Sequence, residues 1–392
     1  MVEAASLYIH IPFCKKRCYY CDFNTVAGND GQIEAYFVAL NQEIVQVAGK
    51  YASDNPIHTI YIGGGTPSHV DTALISKLMD MINENFTILP DSEISMEANP
   101  GTLSLQKLEA YRKAGINRLS LGVQSADNEE LARLGRIHSF EDVIQNVSEA
   151  RRAGFDNISL DLIFGLPGQT MGSWIHSLEK VTDIGLEHLS LYSLTIEEGT
   201  PFGRWVADGS MSVPDDDEMA DQYASAQDWL AEHGFEQYEI SNWRKKDEVR
   251  DFTSRHNCQY WLNLPYLGLG LGSHSCVGGM RLANSTSLAD YIQACMVMPM
   301  GIHETFPACV EVNEIDEFTA MQETMMLGLR LIQQGVSNAE FFQRFGRKIE
   351  AVFGTEINDL IRVGLAHWMD DDRFGLTERG VLLGNQAFIK FV

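Results

Sequence analysis

The sequence predicts an α/β fold: a partial, TIM-like (β/α)6 barrel followed by a small, mostly helical C-terminal domain. Three observations lead there. Short β-like runs alternate with longer segments of helix-period apolar spacing, most of the helical segments run into an Ala-Gly or Ile-Gly stop, and the alternation breaks after Thr200.

In chain order, strands are predicted at 7–11, 59–62, 93–98, 118–123, 158–163 and 188–194, each a short apolar run bounded by turn signals. Between them, 33–48, 72–83, 105–114, 140–153 and 174–182 carry the periodicity of amphipathic helices. Strands separated by helices pair in parallel, so residues 1–200 form the partial barrel. Pro201, Gly203, Gly209 and Pro214 then interrupt the pattern, and the acidic run 215–218 opens a helix reaching His233. Residues 201–300 are an extension of the barrel. A loop from Pro299 to Pro307 leads into the last unit, 301–392, which is helical from Val310 and closes with a hairpin-like turn at Phe374-Gly-Leu-Thr and a short amphipathic end.

Composition narrows the function classes. The chain has 392 residues, 45% hydrophobic and 21% charged, which suits a large globular core. A net charge of −25, relieved only by short basic runs at Lys15–Arg17 and Arg244–Lys246, argues against a nucleic-acid partner, since phosphate backbones are held by Lys and Arg clusters. No apolar run approaches the roughly 20 residues that span a bilayer, and the N-terminus lacks the charged, apolar and small-residue order of a secretory leader, so a cytoplasmic location is expected.

Seven cysteines fit reduced thiols better than a disulfide framework, because three of them crowd into eight positions. Cys258, Cys276, Cys295 and Cys309 show no ligand spacing and are expected to be structural. Cys14-Lys-Lys-Arg-Cys18-Tyr-Tyr-Cys21 follows the first strand directly, which puts three thiolates on one loop at the C-terminal mouth of the barrel. Three protein thiolates on a four-iron cluster leave one iron open to a cofactor. The competing reading is a structural zinc site, which needs four closed ligands. Lys15, Lys16 and Arg17 either offset the negative charge of thiolates and cluster or are solvated loop charges.

The run Tyr8-Ile-His-Ile-Pro-Phe-Cys14, the cysteine loop, Gly63-Gly-Gly-Thr-Pro67, Gly122-Val-Gln-Ser125 and Asp161-Leu-Ile-Phe-Gly-Leu-Pro-Gly168 together resemble the oxygen-independent coproporphyrinogen III oxidase family of radical S-adenosylmethionine (SAM) proteins. The resemblance covers nearly the whole chain. It implies a [4Fe-4S] cluster on Cys14, Cys18 and Cys21 and a barrel of the radical SAM type. It also implies that Tyr8, Gly64 and Glu97 serve a first SAM, that Gly65, Thr66, Gln124, Arg136 and Asp161 serve a second, and that Tyr20 meets adenine.

The residues carry part of this by themselves. Strand alternation puts Tyr8 and His10 on the interior face of the first strand and Leu7, Ile9 and Ile11 on the other. His10 is either a hydrogen-bonded interior histidine or functional. The glycines at 63–65 let backbone approach a ligand, although a tight turn would need them too. Glu97, Gln124 and Asp161 fall at strand ends, where polar groups converge on the mouth. Arg136 is either part of the site or a surface helix charge.

Two branches of the family diverge after the third cysteine. The decarboxylating enzyme carries a further cysteine two residues on and a long N-terminal arm; here Asp22-Phe23 follow Cys21, and thirteen residues precede Cys14. Both features resemble the HemW-type branch, regarded as heme chaperones, and so does the string Arg255-His256-Asn-Cys-Gln-Tyr260-Trp261. The resemblance therefore implies heme as cofactor or cargo, an apo-hemoprotein acceptor, membrane-associated acceptors included, and compatibility with a homodimer. Imidazole can ligate heme iron and the aromatics can pack on its face, yet the same trio suits a core. His274 is the alternative ligand. SAM-dependent decarboxylation of coproporphyrinogen III is the alternative function.

Overall fold

The computed structural model describes residues 5–53, 56–296 and 301–392. The predicted alternation is present. Strands β1 (Ala5–Ile11), β2 (Ile57–Gly64), β3 (Ile88–Ala98), β4 (Arg118–Gln124), β5 (Ile158–Phe164) and β6 (His188–Ser193) lie side by side, all parallel. The crossovers are α1 (Ile33–Tyr51), α2 (Thr72–Asn85), α3 (Leu105–Lys113), the pair α4 (Asn128–Arg133) and α5 (Phe140–Arg152), and α6 (Met171–Thr182). Local chemistry starts these helices where they start: Asp71 accepts from the Ala73 amide before α2, and reciprocal capping boxes, Ser139 with Asp142 and Thr170 with Ser173, open α5 and α6.

The sheet continues past both ends of the predicted barrel. After α7 (Pro201–Ala207) and α8 (Asp216–Glu232), β7 (Phe235–Glu239) and β8 (Asn242–Lys245) extend it antiparallel from β6. The chain then crosses back through α9 (Arg255–Trp261) to β9 (Tyr266–Leu269), which pairs in parallel with β1. From there β10 (His274–Val277), β11 (Met280–Asn284) and, after α10 (Leu288–Met296), β12 (Cys309–Glu314) add antiparallel strands. Among the described residues β12 and β7 are the two edges, so no ladder closes the barrel. β12 is a strand where the spacing predicts helix from Val310. The opening of the preceding loop, at Pro299, lies outside the described residues.

The final unit builds a separate core from Met321, Met325, Phe341, Phe353, Leu360, Phe374 and Phe391. Its helices α11 (Glu317–Gly328), α12 (Asn338–Phe345) and α13 (Ile349–Arg362) surround a small sheet of β13 (Val336–Ser337), β14 (Ala366–Trp368) and β15 (Arg373–Leu376). Phe374 lies in a strand, and the reversal comes just before it, over residues 369–372. A bidentate pair from Arg281 on β11 to Glu323 on α11, at 2.9 and 3.0 Å, ties this unit to the barrel extension.

Alternation along β1 is as read: Leu7, Ile9 and Ile11 are fully buried under the helices, while Tyr8 and His10 share the interior face. Behind β1, Glu43 of α1 is wholly buried and accepts from the Gly270 amide (2.8 Å), Asn284 Nδ2 (2.6 Å) and Tyr291 Oη (2.7 Å). One carboxylate thus joins α1, the turn after β9, β11 and α10.

Burial pushes the Glu43 carboxyl up to about 7. The native state therefore holds a proton that the unfolded chain has released from about pH 4.5 upward, so this group's contribution falls as pH rises through that window. In thermal unfolding followed from about pH 5 to about pH 8, the midpoint of Glu43→Gln relative to wild type is expected to shift in favour of the variant. A difference independent of pH contradicts this.

Candidate functional site

Strand β1 ends at Ile11, and the chain turns at once into the cysteine loop, so the loop sits where the parallel strands of the barrel end. All three thiols are free, with Cys14 buried and Cys18 and Cys21 half-buried. Backbone bonds fix the loop to its neighbours: Tyr19 N to Leu134 O (3.1 Å), Phe202 N to Tyr19 O (3.1 Å) and Thr66 N to Phe13 O (2.9 Å). Arg17 braces it from outside through the carbonyls of Cys21 (3.1 Å) and Phe23 (3.3 Å).

Two of the sulfurs receive hydrogen bonds from one continuous arc. Thr66 Oγ1 donates to Cys14 Sγ (3.3 Å) and accepts from Asn99 Nδ2 (2.8 Å). Asn99 Oδ1 accepts from Arg136 Nη2 (2.5 Å), and Arg136 Nη1 donates to Cys18 Sγ (3.4 Å). Arg136 also donates to the Gly122 carbonyl (2.5 Å). It follows α4 and turns inward beside Tyr20, so it is not a surface helix charge. Gln124 joins the group with a left-handed φ of 74°, and a Cβ on Gly122 would stand 3.0 Å from both Gln124 Nε2 and Asn99 Oδ1.

Below the loop the glycines form a cradle. Gly64 has φ of 112°, and a Cβ there would meet the His10 ring at 2.6 Å; at Gly65 it would meet the Pro12 carbonyl oxygen at 2.5 Å. Glu97 accepts from the Gly64 amide (3.0 Å) and Tyr61 Oη (2.9 Å), and burial raises it to about 7. Asp161 accepts from Ser120 Oγ (3.1 Å) and is likewise raised by burial. Burial pushes the His10 imidazole below its usual range; its Nε2 donates to the Asn24 carbonyl (2.9 Å), and Nδ1 of the neutral ring accepts from Tyr8 Oη (3.0 Å).

Deeper in the interior the aromatic string divides. Glu93 accepts the amides of Arg255 (3.0 Å) and His256 (3.2 Å) and so seats the start of α9. His256 is 1% exposed, with its ring nitrogens 2.9 Å from Thr59 Oγ1 and 2.9 Å from Tyr260 Oη, and burial lowers it to about 3. Tyr61 stacks on it at 5.1 Å and Tyr8 lies 6.5 Å away. Trp261 instead lies at the junction with the final unit, under the Arg330 guanidinium at 4.4 Å. His274 is exposed on β10.

The structure thus gathers Cys14, Cys18, Cys21, Tyr20, Gly64, Gly65, Thr66, Glu97, Gln124, Arg136 and Asp161 at the mouth, and sets His256 and Tyr260 apart in the interior. Asn99, Tyr61, Ser120 and Glu93 are further members that the sequence reading did not single out. Alternation from Thr59 through Tyr61 to Gly63 could have found Tyr61; nothing local flags Glu93.

The donor set fits an iron–sulfur cluster. Each thiolate of such a cluster binds its own corner iron, and donors to sulfur from Thr66 and Arg136 stabilise the anionic ligands. Among the described residues no group of three or more His, Cys, Asp or Glu converges to hold a single ion, the arrangement a closed zinc site requires. No described helix is long and apolar enough to cross a membrane.

Residues 8–181 match the Radical SAM superfamily and residues 315–383 the HemN C-terminal domain. The heme chaperone HemW of Bacillus subtilis (strain 168) is 38% identical over 388 residues, 99% of each chain. A mitochondrial radical S-adenosyl methionine domain-containing protein 1 of Danio rerio is 37% identical over 364 residues, 90% of this chain and 79% of that protein. Among solved structures, the coproporphyrinogen III oxidase HemN of Escherichia coli, described as a radical SAM enzyme, superposes with a TM-score of 0.83 at 26% identity, covering 99% of this chain and 90% of that one.

The cradle is testable without any cofactor. Gly65→Ala places a Cβ against backbone that cannot yield, and overpacking of this kind costs about 1–3 kcal/mol, a fall of several degrees in thermal midpoint. Gly31→Ala, where a Cβ meets nothing within 4 Å, is the control and is expected to leave the midpoint unmoved. Equal midpoints for the two variants contradict the cradle.

Proposed function

The chain belongs to the HemW heme chaperone family of the radical SAM superfamily, and from that premise we propose that it binds heme and passes it to apo-hemoproteins while holding one [4Fe-4S] cluster and SAM at the barrel mouth. The observation that carries the cluster is the hydrogen-bonded arc ending on Cys14 and Cys18. When bound on three cysteines, the cluster supplies an open iron that chelates SAM through its amino and carboxylate groups.

The chain's own groups do the rest. Thr66 and Arg136 hold Cys14 and Cys18 in place and offset charge on their sulfurs. Gly64 and Glu97 offer a backbone surface and a carboxylate to the methionine end of a first SAM, with Tyr8 beneath them. Gly65, Gln124, Arg136 and Asp161 are the polar groups available to a second SAM, and Tyr20 to an adenine ring. For His256 to ligate heme iron, its ring would have to give up Thr59 or Tyr260.

A second reading, SAM-dependent oxidative decarboxylation of coproporphyrinogen III, is favoured by the likeness to HemN over 99% of the chain. It is weakened by the loop, which continues past Cys21 as Asp22-Phe23 where the decarboxylating branch has another cysteine. Hemin added to the anaerobically reconstituted protein is expected to give a saturable Soret shift, and coproporphyrinogen III with SAM and reductant no steady turnover. Hemin binding no better than to a generic acidic protein would defeat the chaperone reading, and sustained decarboxylation would establish the second. Replacing Cys14, Cys18 or Cys21 by Ala is expected to abolish reconstituted iron and acid-labile sulfide; full retention in all three variants contradicts the ligand set.

A further inference from the structure

Below the mouth the barrel interior encloses a cation. Arg118 opens β4 and is 2% exposed. Alternation puts it on the interior face with Ser120, Gly122 and Gln124, while Leu119, Leu121 and Val123 are fully buried on the other. Its Nε has no hydrogen-bond partner, and among the described residues no carboxylate forms a direct ion pair with its guanidinium. An enclosed guanidinium without a counter-charge is strongly destabilising, so the opposite charge stands at longer range.

Strand register identifies that charge. Gly122 pairs with Asp161 of β5, and Ser120, one interior position nearer to Arg118, donates to both Asp161 oxygens (3.1 and 3.3 Å). Arg118 therefore starts one interior position below the serine that carries Asp161, a rise of roughly 6–7 Å along the strand. Burial raises the Asp161 carboxyl, and Ser190, Ser120, Arg118 and Arg136 act against that rise. Glu97 of β3, Tyr192 of β6 and Tyr61 of β2 also feel its charge. Of the two cations, Arg136 is committed to Cys18, Asn99 and the Gly122 carbonyl. Carboxylates lower in the interior are engaged as well: Glu93 accepts Ser95 Oγ (3.2 Å) and the two amides that open α9, and Glu239 accepts from Ser241 N and Asn242 Nδ2. Burial, and after it the Arg118 charge, drives His188 well below the histidine range, and its ring is bonded to Ser159 (2.7 Å) and Tyr238 (2.8 Å).

We infer that Arg118 is a positioning residue that supplies the counter-charge of Asp161 from beneath, so that this carboxylate is presented to the hydroxyl or amine groups of bound SAM. The inference rests on the reading that SAM binds at the mouth. A direct Arg118–Asp161 pair would occupy the carboxylate oxygens. A counter-charge set one position lower compensates the anion and leaves its remaining lone pairs to accept from a ligand.

Two measurements test it. Arg118→Met keeps the bulk and removes the charge; Arg118→Lys keeps the charge. Without Arg118 the folded-state Asp161 carboxyl rises further above its unfolded value, so the deficit of Arg118→Met against wild type is expected to grow from about pH 5 to about pH 8 in thermal unfolding of the cofactor-free protein. In an Asp161→Asn background the same change is expected to leave or raise the midpoint, because it then removes an unpaired buried cation. Glu43 and Glu97 titrate in this range with and without the Arg118 change and cancel within each background. An equal, pH-independent loss in both backgrounds is the mark of packing alone and overturns the inference. In the reconstituted protein, Arg118→Met is expected to weaken SAM binding about tenfold at about pH 6 and to recover toward about pH 8, with Arg118→Lys close to wild type at both. Undiminished affinity in Arg118→Met, or a loss equal at the two pH values, also overturns it. Wild type that binds no SAM at either pH defeats the proposed function and with it the role given to Arg118, leaving only the charge pair that the unfolding cycle reads.

Discussion

Anionic sulfur placed half inside a protein of net charge −25 needs compensation, and the arc Thr66–Asn99–Arg136 supplies it. Each member comes from a different strand end: Thr66 after β2, Asn99 after β3, Arg136 after β4 and the short α4. Registering those three ends around one loop is what the parallel sheet accomplishes. Glycines at 63–65 serve the same end by removing Cβ atoms where the loop, His10 and the backbone crowd together.

The rest of the interior follows from that placement. Carboxylates at Glu97 and Asp161 are half-buried, yet each has hydrogen-bond donors from neighbouring strands, so neither is an orphan. Beneath them the neutral His256, bonded to Thr59 and Tyr260, plugs the interior through α9, whose first amides rest on Glu93. The aromatic string 256–261 thus has two jobs: its start fills the interior, and its end, Trp261, faces the final unit. A single short helix turns one residue into each, which is why a linear motif could not separate them.

Much of the fold was legible. The six parallel strands and their crossover helices follow from apolar runs and helical periodicity, and the cysteine loop's position at the mouth follows from its place directly after β1. Strand ends at the mouth are more legible than the opposite ends: β3 begins at Ile88 and not at Glu93, because the exposed Pro90 and Asp91 that follow the half-buried Ile88 and Leu89 interrupt the apolar signal. The strands β7 to β12 are not legible because they are short, and their pairing is set by tertiary contact and not by local pattern. Within the site, residues whose types announce chemistry were found. Asn99, Ser120 and Glu93 are not legible, since their roles depend on partners 33 to 163 positions away, such as Asn99 with Thr66 and Arg136, Ser120 with Asp161, and Glu93 with Arg255 and His256.

The central claim is that three cysteines leave one iron of the cluster to SAM. Electron–nuclear double resonance on the reduced, reconstituted full-length protein, with SAM carrying nitrogen-15 at its amino group, reads this directly. A coupling characteristic of nitrogen bound to iron is expected. An intact cluster in the presence of saturating SAM that shows no such coupling, its fourth iron held by a protein group, contradicts the account.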